Sequence, residues 1–204
     1  FVNYLDDSIK SQDDIETFLN LHFLGYVPNI KAGNLHERDL HGHLHPRSAA
    51  AESFRTVRAA ITLAGRADKT RVFGVTSSIP SEGKSLCGSN FAIVTAQAGF
   101  RTVLIDADLR RPSVHKAFQI HAPEGFASLL QGTTAKLDDI VHKSSVPNLD
   151  VIACGPIPSN PSELLEGARM EQVLAELRDR YDRVVIDCPP ISAVSDPLVI
   201  GAKA

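Results

Sequence analysis

The string Gly83-Lys84-Ser85 between an apolar run and a helix-patterned segment constrains this chain more than any other feature. The loop reads Thr76-Ser77-Ser78-Ile79-Pro80-Ser81-Glu82-Gly83-Lys84-Ser85 and continues into Leu86. It follows the apolar run Val72-Phe73-Gly74-Val75 and precedes a helix expected over 85–99, stopped by Gly99. Strand, loop, Gly-Lys-Ser and helix, in that order, form a phosphate-binding P-loop. Backbone N–H groups of such a loop and of the helix N-terminus point at phosphates. Gly83 lets the backbone come close, Lys84 neutralises β- and γ-phosphate charge, and the Ser85 hydroxyl is a Mg²⁺ ligand. The candidate nucleotide site is therefore Ser78, Ile79, Pro80, Ser81, Glu82, Gly83, Lys84, Ser85 and Leu86. Ser78 stands where the standard pattern has its first glycine, so only the tail of the pattern is met. A short Gly-Lys-Ser string also arises by chance, as a plain helix start with a surface lysine.

Two other segments decide for the functional reading. Val103-Leu104-Ile105-Asp106-Ala107-Asp108-Leu109-Arg110 ends an apolar strand in Asp-x-Asp, and Val184-Val185-Ile186-Asp187-Cys188-Pro189-Pro190 ends another in Asp. Parallel sheets bind ligands at the carboxyl ends of their strands. Asp106, Asp108 and Asp187 would then share one rim with the P-loop. Carboxylates there suit Mg²⁺, a hard ion that keeps several waters. A single Asp after a strand is commonly a cap or turn former, but that account does not cover all three.

The rest of the chain supplies the scaffold. Apolar strands at 72–76, 102–106, 149–153 and 183–187 alternate with helices at 85–99, 125–130, 137–141 and 162–181, the last interrupted near Gly167. A further helix spans 52–63, and another opens at Asp196. Strands apolar throughout and alternating with helices predict an α/β fold, a mostly parallel sheet with helices on both faces. Two parts are expected, 1–50 as an N-terminal segment and 51–204 as the P-loop domain. Within the first, a short helix led by Asp13-Asp14-Ile15-Glu16 and a short strand at Phe23–Pro28 precede a polar stretch over 31–50. That stretch carries His36, His41, His43 and His45 and reads as a solvated linker rather than a metal site. The chain starts at Phe1 and stops just after its last helix opens, so it reads as a piece of a longer protein, cut inside its domain. A net charge of −3 and a pI near 6.2 give no basic face for nucleic acid, and no apolar run is long enough to span a membrane. Cys87, Cys154 and Cys188 are far apart in apolar stretches and read as reduced thiols.

The Asp106-x-Asp108-x-Arg110 string after an apolar strand resembles the "Walker A-prime" motif of bacterial tyrosine kinases. These are the cytoplasmic kinase domains of capsule and exopolysaccharide export systems. The resemblance covers nearly the whole chain. Leu5-Asp6-Asp7-Ser8-Ile9-Lys10, Asp13–Glu16 and Leu24-Gly25-Tyr26-Val27-Pro28 are similar to the segment after the second membrane helix of polysaccharide co-polymerases. Glu52-Ser53-Phe54-Arg55-Thr56-Val57-Arg58 matches the E-x-x-R-x-x-R oligomerisation motif, and Gly155–Leu165 resembles the proline-rich loop. The family's P-loop commonly has serine where Ser78 stands.

The resemblance implies a P-loop NTPase of the deviant-Walker (MinD/ParA-like) type that uses ATP and Mg²⁺, releases ADP and phosphorylates tyrosine, its own included. It implies catalytic roles for Lys84, Asp106 and Asp108, with Asp106 as base or orienting group. Ser85, Asp106, Asp108 and Asp187 would be the metal set, and Glu52, Arg55 and Arg58 a ring-forming contact with a second copy. The implied partners are a transmembrane co-polymerase segment in the same or another chain, a tyrosine phosphatase and polysaccharide-export proteins. The implied location is the cytoplasmic side of the inner membrane. The family's C-terminal tyrosine cluster is not seen, for Tyr4, Tyr26 and Tyr181 are scattered; either the tail was cut away or this member lacks it. Two other readings stand beside the kinase. A partition-type ATPase switch usually has a second lysine near the P-loop start, where Ser77, Ser78 and Ile79 have none. A silent scaffold would not need Lys84 and the three aspartates. Without ligand, Lys84 is expected to face solvent.

Overall fold

The strands form because their side chains are apolar on both sides. In β2 (Thr102–Asp106) and β5 (Arg183–Asp187), Val103, Ile105, Val184 and Ile186 enter one core, while Leu104 and Val185 enter the other. Such strands must be covered on both faces. The computed structural model describes residues 9, 11–64, 70–133 and 136–204. Tyr4 and the expected segment Leu5–Lys10, Ile9 excepted, lie outside the described residues.

With β1 (Val72–Val75), β3 (Val141–Lys143) and β4 (Leu149–Ile152), the sheet has the order β1-β5-β2-β4-β3. Every pairing is parallel except β3 with β4. The expected mostly parallel sheet is present. The antiparallel edge was not expected, because 137–141 reads as one helix. That helix stops at Ile140, and Val141 turns out to pair with Ile152.

One face carries α6 (Phe126–Gln131), α8 (Pro161–Glu166), α9 (Ala168–Arg180) and α10 (Asp196–Lys203). Phe126, Leu129, Leu165, Leu174 and Leu177 from these helices fill the first core. The other face carries α4 (Lys84–Gln97), which is buried almost all round, from Gly88 to Ala96. A helix with no polar face needs cover on its outer side as well. Here α1 (Leu35–Asp39), α2 (His41–Leu44) and α3 (Ala49–Ala64) provide it.

This corrects the solvated linker expected over 31–50. Leu40 is buried, the Asn90 side chain accepts from Gly42 N at 2.7 Å, and Gln97 Nε2 donates to Gly42 O at 3.1 Å. Asn34 caps α1 by accepting from Glu37 N. His36 Nδ1 lies 2.7 Å from Ala117 O, and His41 Nε2 lies 3.0 Å from Ser48 Oγ. These two histidines hold helices together, and no metal-binding group of His, Cys, Asp or Glu occurs among the described residues. The expected strand at Phe23–Pro28 is irregular chain with no strand beside it, while Asp14–Phe18 makes a single π-helical turn.

The close contact between the start of α6 and the loop after β4 allows no side chain. A Cβ on Gly125 would lie 2.4 Å from both Ala153 O and Gly155 N, and Gly155 itself has φ +77°. Gly125→Ala is expected to destabilise the fold by about 2–4 kcal/mol, since backbone rather than a flexible side chain must yield. Gly132→Ala meets nothing within 4 Å. Its φ of +68° should cost only about 1 kcal/mol. Equal denaturation midpoints for the two variants would refute the close-approach account.

Candidate active site

The register of the sheet builds the site. Asp187 is the Cα partner of Val75 in β1 and of Asp106 in β2, so three strand ends finish level. The P-loop leaves β1 and is braced on the chain after β5: Thr76 Oγ1 donates to Pro189 O at 2.6 Å, and Ile191 N donates to Ser77 O at 2.9 Å. Two left-handed residues, Ser81 (φ 70°) and Gly83 (φ 91°), turn the loop into α4. The Glu82 carboxylate accepts from Ile79 N at 3.0 Å and Leu86 is half-buried, so the expected segment 78–86 is a loop over 78–83 that runs straight into the first turn of α4.

Lys84 does not face solvent, contrary to expectation. Its side chain is 12% exposed, with Nζ 2.9 Å from Asp108 Oδ2, 3.8 Å from Asp187 Oδ1 and 3.3 Å from Ser85 Oγ. Burial works against its charge, but Asp187, Asp108 and Asp106 together hold its pKa above the ordinary lysine value. An attractive partner set this dense keeps the side chain down.

The three carboxylates have different surroundings. Asp106 is fully buried; its Oδ2 accepts from Ser113 N at 3.0 Å and Val114 N at 2.9 Å, while Oδ1 has no partner. Burial, and then the Asp187 charge, push its pKa up to about 7, against the pull of those two amides. Asp187 is buried too, and burial raises it to about 6 although Lys84 draws it back. Asp108 accepts from Arg111 N at 2.9 Å through Oδ1 and gives Oδ2 to Lys84. Ser113 was not expected here. Its hydroxyl donates to Ser85 Oγ at 3.1 Å and its amide holds Asp106, but it lies beyond the Asp-x-Asp-x-Arg string and carries no motif signal.

These residues fit a nucleotide phosphate with Mg²⁺. Asp106 Oδ1 is an acceptor buried without a donor, Ser85 and Asp187 offer hard oxygen atoms nearby, and a Cβ on Gly83 would meet nothing within 4 Å. The site opens into a cleft of about 380 Å³ lined by Pro80, Lys84, Asp108, Arg111, Pro189 and Val194 among others. A second cleft of about 460 Å³ lies at the opposite ends of β2 and β4. Its cations Arg101, Lys143 and Arg180 are already paired with Asp182, Asp150 and Asp138.

The expected assembly face is less open than its spacing suggests. Glu52 is exposed but paired with Arg55, which also donates to Pro46 O at 2.7 Å. Arg58 turns inward and donates to Val94 O of α4 at 2.8 Å. The thiols match expectation: all three are free, and burial pushes Cys154 and Cys188 up to about 12.

A family model described as an AAA domain matches residues 81–197. YwqD, a tyrosine-protein kinase of Bacillus subtilis (strain 168), is 38% identical over 172 residues, 84% of this chain and 72% of the relative. The chain belongs to the bacterial tyrosine-protein kinase family. The kinase domain of the Escherichia coli tyrosine kinase Etk matches this family member with a TM-score of 0.86 at 28% identity, over 97% of this chain and 80% of that one. Longer kinases of the family include Etk of strain K12, of which the chain spans 22%. The septum-site protein MinD of Pyrococcus horikoshii shares the P-loop fold, with a TM-score of 0.56 at 18% identity over 66% of this chain and 54% of that one.

The charges of this kinase-family site predict opposite effects of two substitutions on the nucleotide-free protein. Asp106 has an ordinary pKa of 3.8 and a folded value of about 7, so the folded state binds its proton more tightly. Its ionisation therefore costs stability progressively between those values, and in full above the higher one. Asp106→Asn is expected to melt several degrees above wild type at pH 8 and level with it at pH 4. Lys84→Met leaves three carboxylates without their cation and should lose about 3 kcal/mol at pH 8, less at pH 5.5. Melting curves across pH check both, and a pH-independent offset for Asp106→Asn would refute the assignment.

Proposed function

We propose that this chain is an ATP-dependent protein tyrosine kinase domain that phosphorylates itself and regulates capsule or exopolysaccharide synthesis and export. The observation that carries this reading is the Lys84 ammonium between Asp108 and Asp187, at the start of α4 and the mouth of the cleft. Phosphoryl transfer needs little covalent help from the protein and much placed charge. In this reading Lys84 leaves its carboxylate partners for the β- and γ-phosphates of ATP. Ser85, Asp108 and Asp187, with Asp106 behind them, hold Mg²⁺, which supplies charge neutralisation when bound. The acceptor tyrosine oxygen forms the new bond to the γ-phosphorus as the bond to the ADP oxygen breaks. The hydroxyl proton goes to Asp106, the buried carboxylate whose Oδ1 has no donor of its own.

The whole protein is proposed to work at the cytoplasmic face of the inner membrane, beside a transmembrane co-polymerase segment. A tyrosine phosphatase and export proteins are its further partners. Copies assemble in a ring through Glu52, Arg55 and Arg58, with Arg55 exchanging Pro46 O and Glu52 for groups of a neighbour, since its planar fork suits a paired contact.

Lys84→Met is expected to lower phosphotyrosine formation from Mg-ATP by at least about a thousandfold, and Asp106→Asn by at least about a hundredfold. Both would be read by mass spectrometry on protein shown to be folded. Near-wild-type phosphorylation by either folded variant would sink the assignment. Replacing Glu52 and Arg55 together with alanine, with the Arg58 bond to Val94 O left in place, should leave Mg-ATP binding intact and abolish phosphorylation in trans. Unchanged sedimentation and unchanged trans activity would leave these residues with only their contacts inside the chain.

A further inference from the structure

The cleft wall opposite Lys84 contains a closed polar triangle drawn from three separate elements. Arg110 Nε donates to Asp196 Oδ2 at 3.1 Å, Arg110 Nη2 donates to Ser162 Oγ at 2.9 Å, and the Ser162 hydroxyl donates to Asp196 Oδ1 at 2.7 Å. Arg110 follows β2, Ser162 lies in the first turn of α8, and Asp196 opens α10. Asp196 is completely buried, whereas the Arg110 side chain is 40% exposed. A carboxylate is costly to bury, and here one oxygen accepts from the guanidinium and the other from the serine that the guanidinium also contacts. Arg110 Nη1 forms no hydrogen bond among the described residues, so the triangle leaves it free toward the cleft. Arg111 lines the same cleft, and Pro189, Pro190, Ala193 and Val194 make its apolar part.

We propose that Arg110, oriented by Asp196 and Ser162, binds the carboxylate of an acidic residue beside the acceptor tyrosine, so that this site prefers acidic tyrosine segments. The inference rests on the kinase reading above and names its substrate class. The apolar walls take an aromatic ring, and the Lys84 and Asp108 end takes its hydroxyl. Neighbouring residues of an extended peptide then fall about 3.3 Å further along per position, toward the two arginines. A guanidinium already fixed by a buried carboxylate loses little freedom on binding, and its fork favours carboxylate geometry. The phosphates have their own cation in Lys84 and their own amides in the P-loop.

The test compares two hexapeptides, each with a single tyrosine flanked by either glutamates or glutamines. Wild type should phosphorylate the glutamate peptide with kcat/KM about tenfold higher, the size of one charge-assisted contact, and the gain should lie in KM. Salt should shrink it, as expected for a half-exposed charge. In Arg110→Gln the two peptides should come within twofold of each other while the affinity for Mg-ADP stays within about threefold of wild type. Should that variant fail to fold, Arg110→Gln with Asp196→Asn removes the buried charge as well and should show the same loss of preference. Equal use of both peptides by wild type, or a preference that survives in the folded double variant, overturns the subsite. A large loss of Mg-ADP affinity with the preference intact would reassign Arg110 to the nucleotide. If wild type binds Mg-ATP and phosphorylates neither peptide nor itself, the kinase reading fails and this inference with it.

Discussion

The rim of this domain depends on a single ammonium among three buried carboxylates. Asp106 and Asp187 are paired across adjacent parallel strands, and Asp108 follows two residues later. Parallel neighbours lie about 4.8 Å apart, so the sheet forces like charges together in a poorly solvated place. Lys84 enters from the first residue of α4 and reaches the carboxylates of both strand ends. Its attachment to the start of a helix adds the positive end of that helix to the balance. The sheet can hold this arrangement because β2, β4 and β5 are buried on both faces and have little freedom to spread. Charge repulsion is thus stored at a position that a nucleotide phosphate and a divalent cation would relieve.

The environments of the three acids divide their chemistry. Asp106 has two amide donors on one oxygen and none on the other, so half of the group is fixed and half is available. Asp108 is spoken for by Lys84 and by the backbone after β2, which ties the position of the lysine to that loop. Asp187 has Lys84 at 3.8 Å and the neighbouring Ser85 hydroxyl, and neither oxygen has a partner within ordinary hydrogen-bond geometry. A buried oxygen left without a donor is costly, and its persistence beside a phosphate loop has a physical sense if a cation or its water shell completes it. The same logic explains why burial raises Asp106 to about 7 while a bound cation would lower it again.

Much of this was legible in the sequence because the signals were local. Four apolar runs each ended at a turn, and the Asp-x-Asp and Gly-Lys-Ser strings sat at strand ends, where a parallel sheet gathers them. What escaped was set by tertiary contacts. The short strand Val141–Lys143 has too few residues to show an alternation and exists because β4 offers an edge. The helices between Leu35 and Leu44 look polar, but His36 bonds to Ala117 O of α5 (Val114–Ala117), and the Gly42 backbone bonds to Asn90 and Gln97 of α4. Phe23–Pro28 had strand composition but no partner. Ser113, Ser162 and Asp196 reach the site from distant positions, and a serine or aspartate at a helix start reads as a cap in any chain. Lys84 was placed correctly and oriented wrongly, since its direction depends on carboxylates from two other strands.

The helix that carries Lys84 also decides how much of the chain the site requires. α4 has apolar or small residues around its whole circumference, so the sheet can satisfy only one side. The other side is covered by α1, α2 and α3, and the polar bonds of Asn90 and Gln97 to residues 38–42 fix that cover in register. Arg58 closes the far end by donating to Val94 O in the last turn, where the helix leaves carbonyls unpaired and favours a cation. One element therefore presents Lys84 at its first turn and receives Arg58 at its last, with Val94 ten residues on from Lys84 (94 − 84). At 1.5 Å per residue that is about 15 Å of buried helix. The arginine face of α3 and the phosphate loop are thus the two ends of one packed rod, and a substitution at Arg58 acts on the body that holds Lys84 as well as on any neighbour that face might meet.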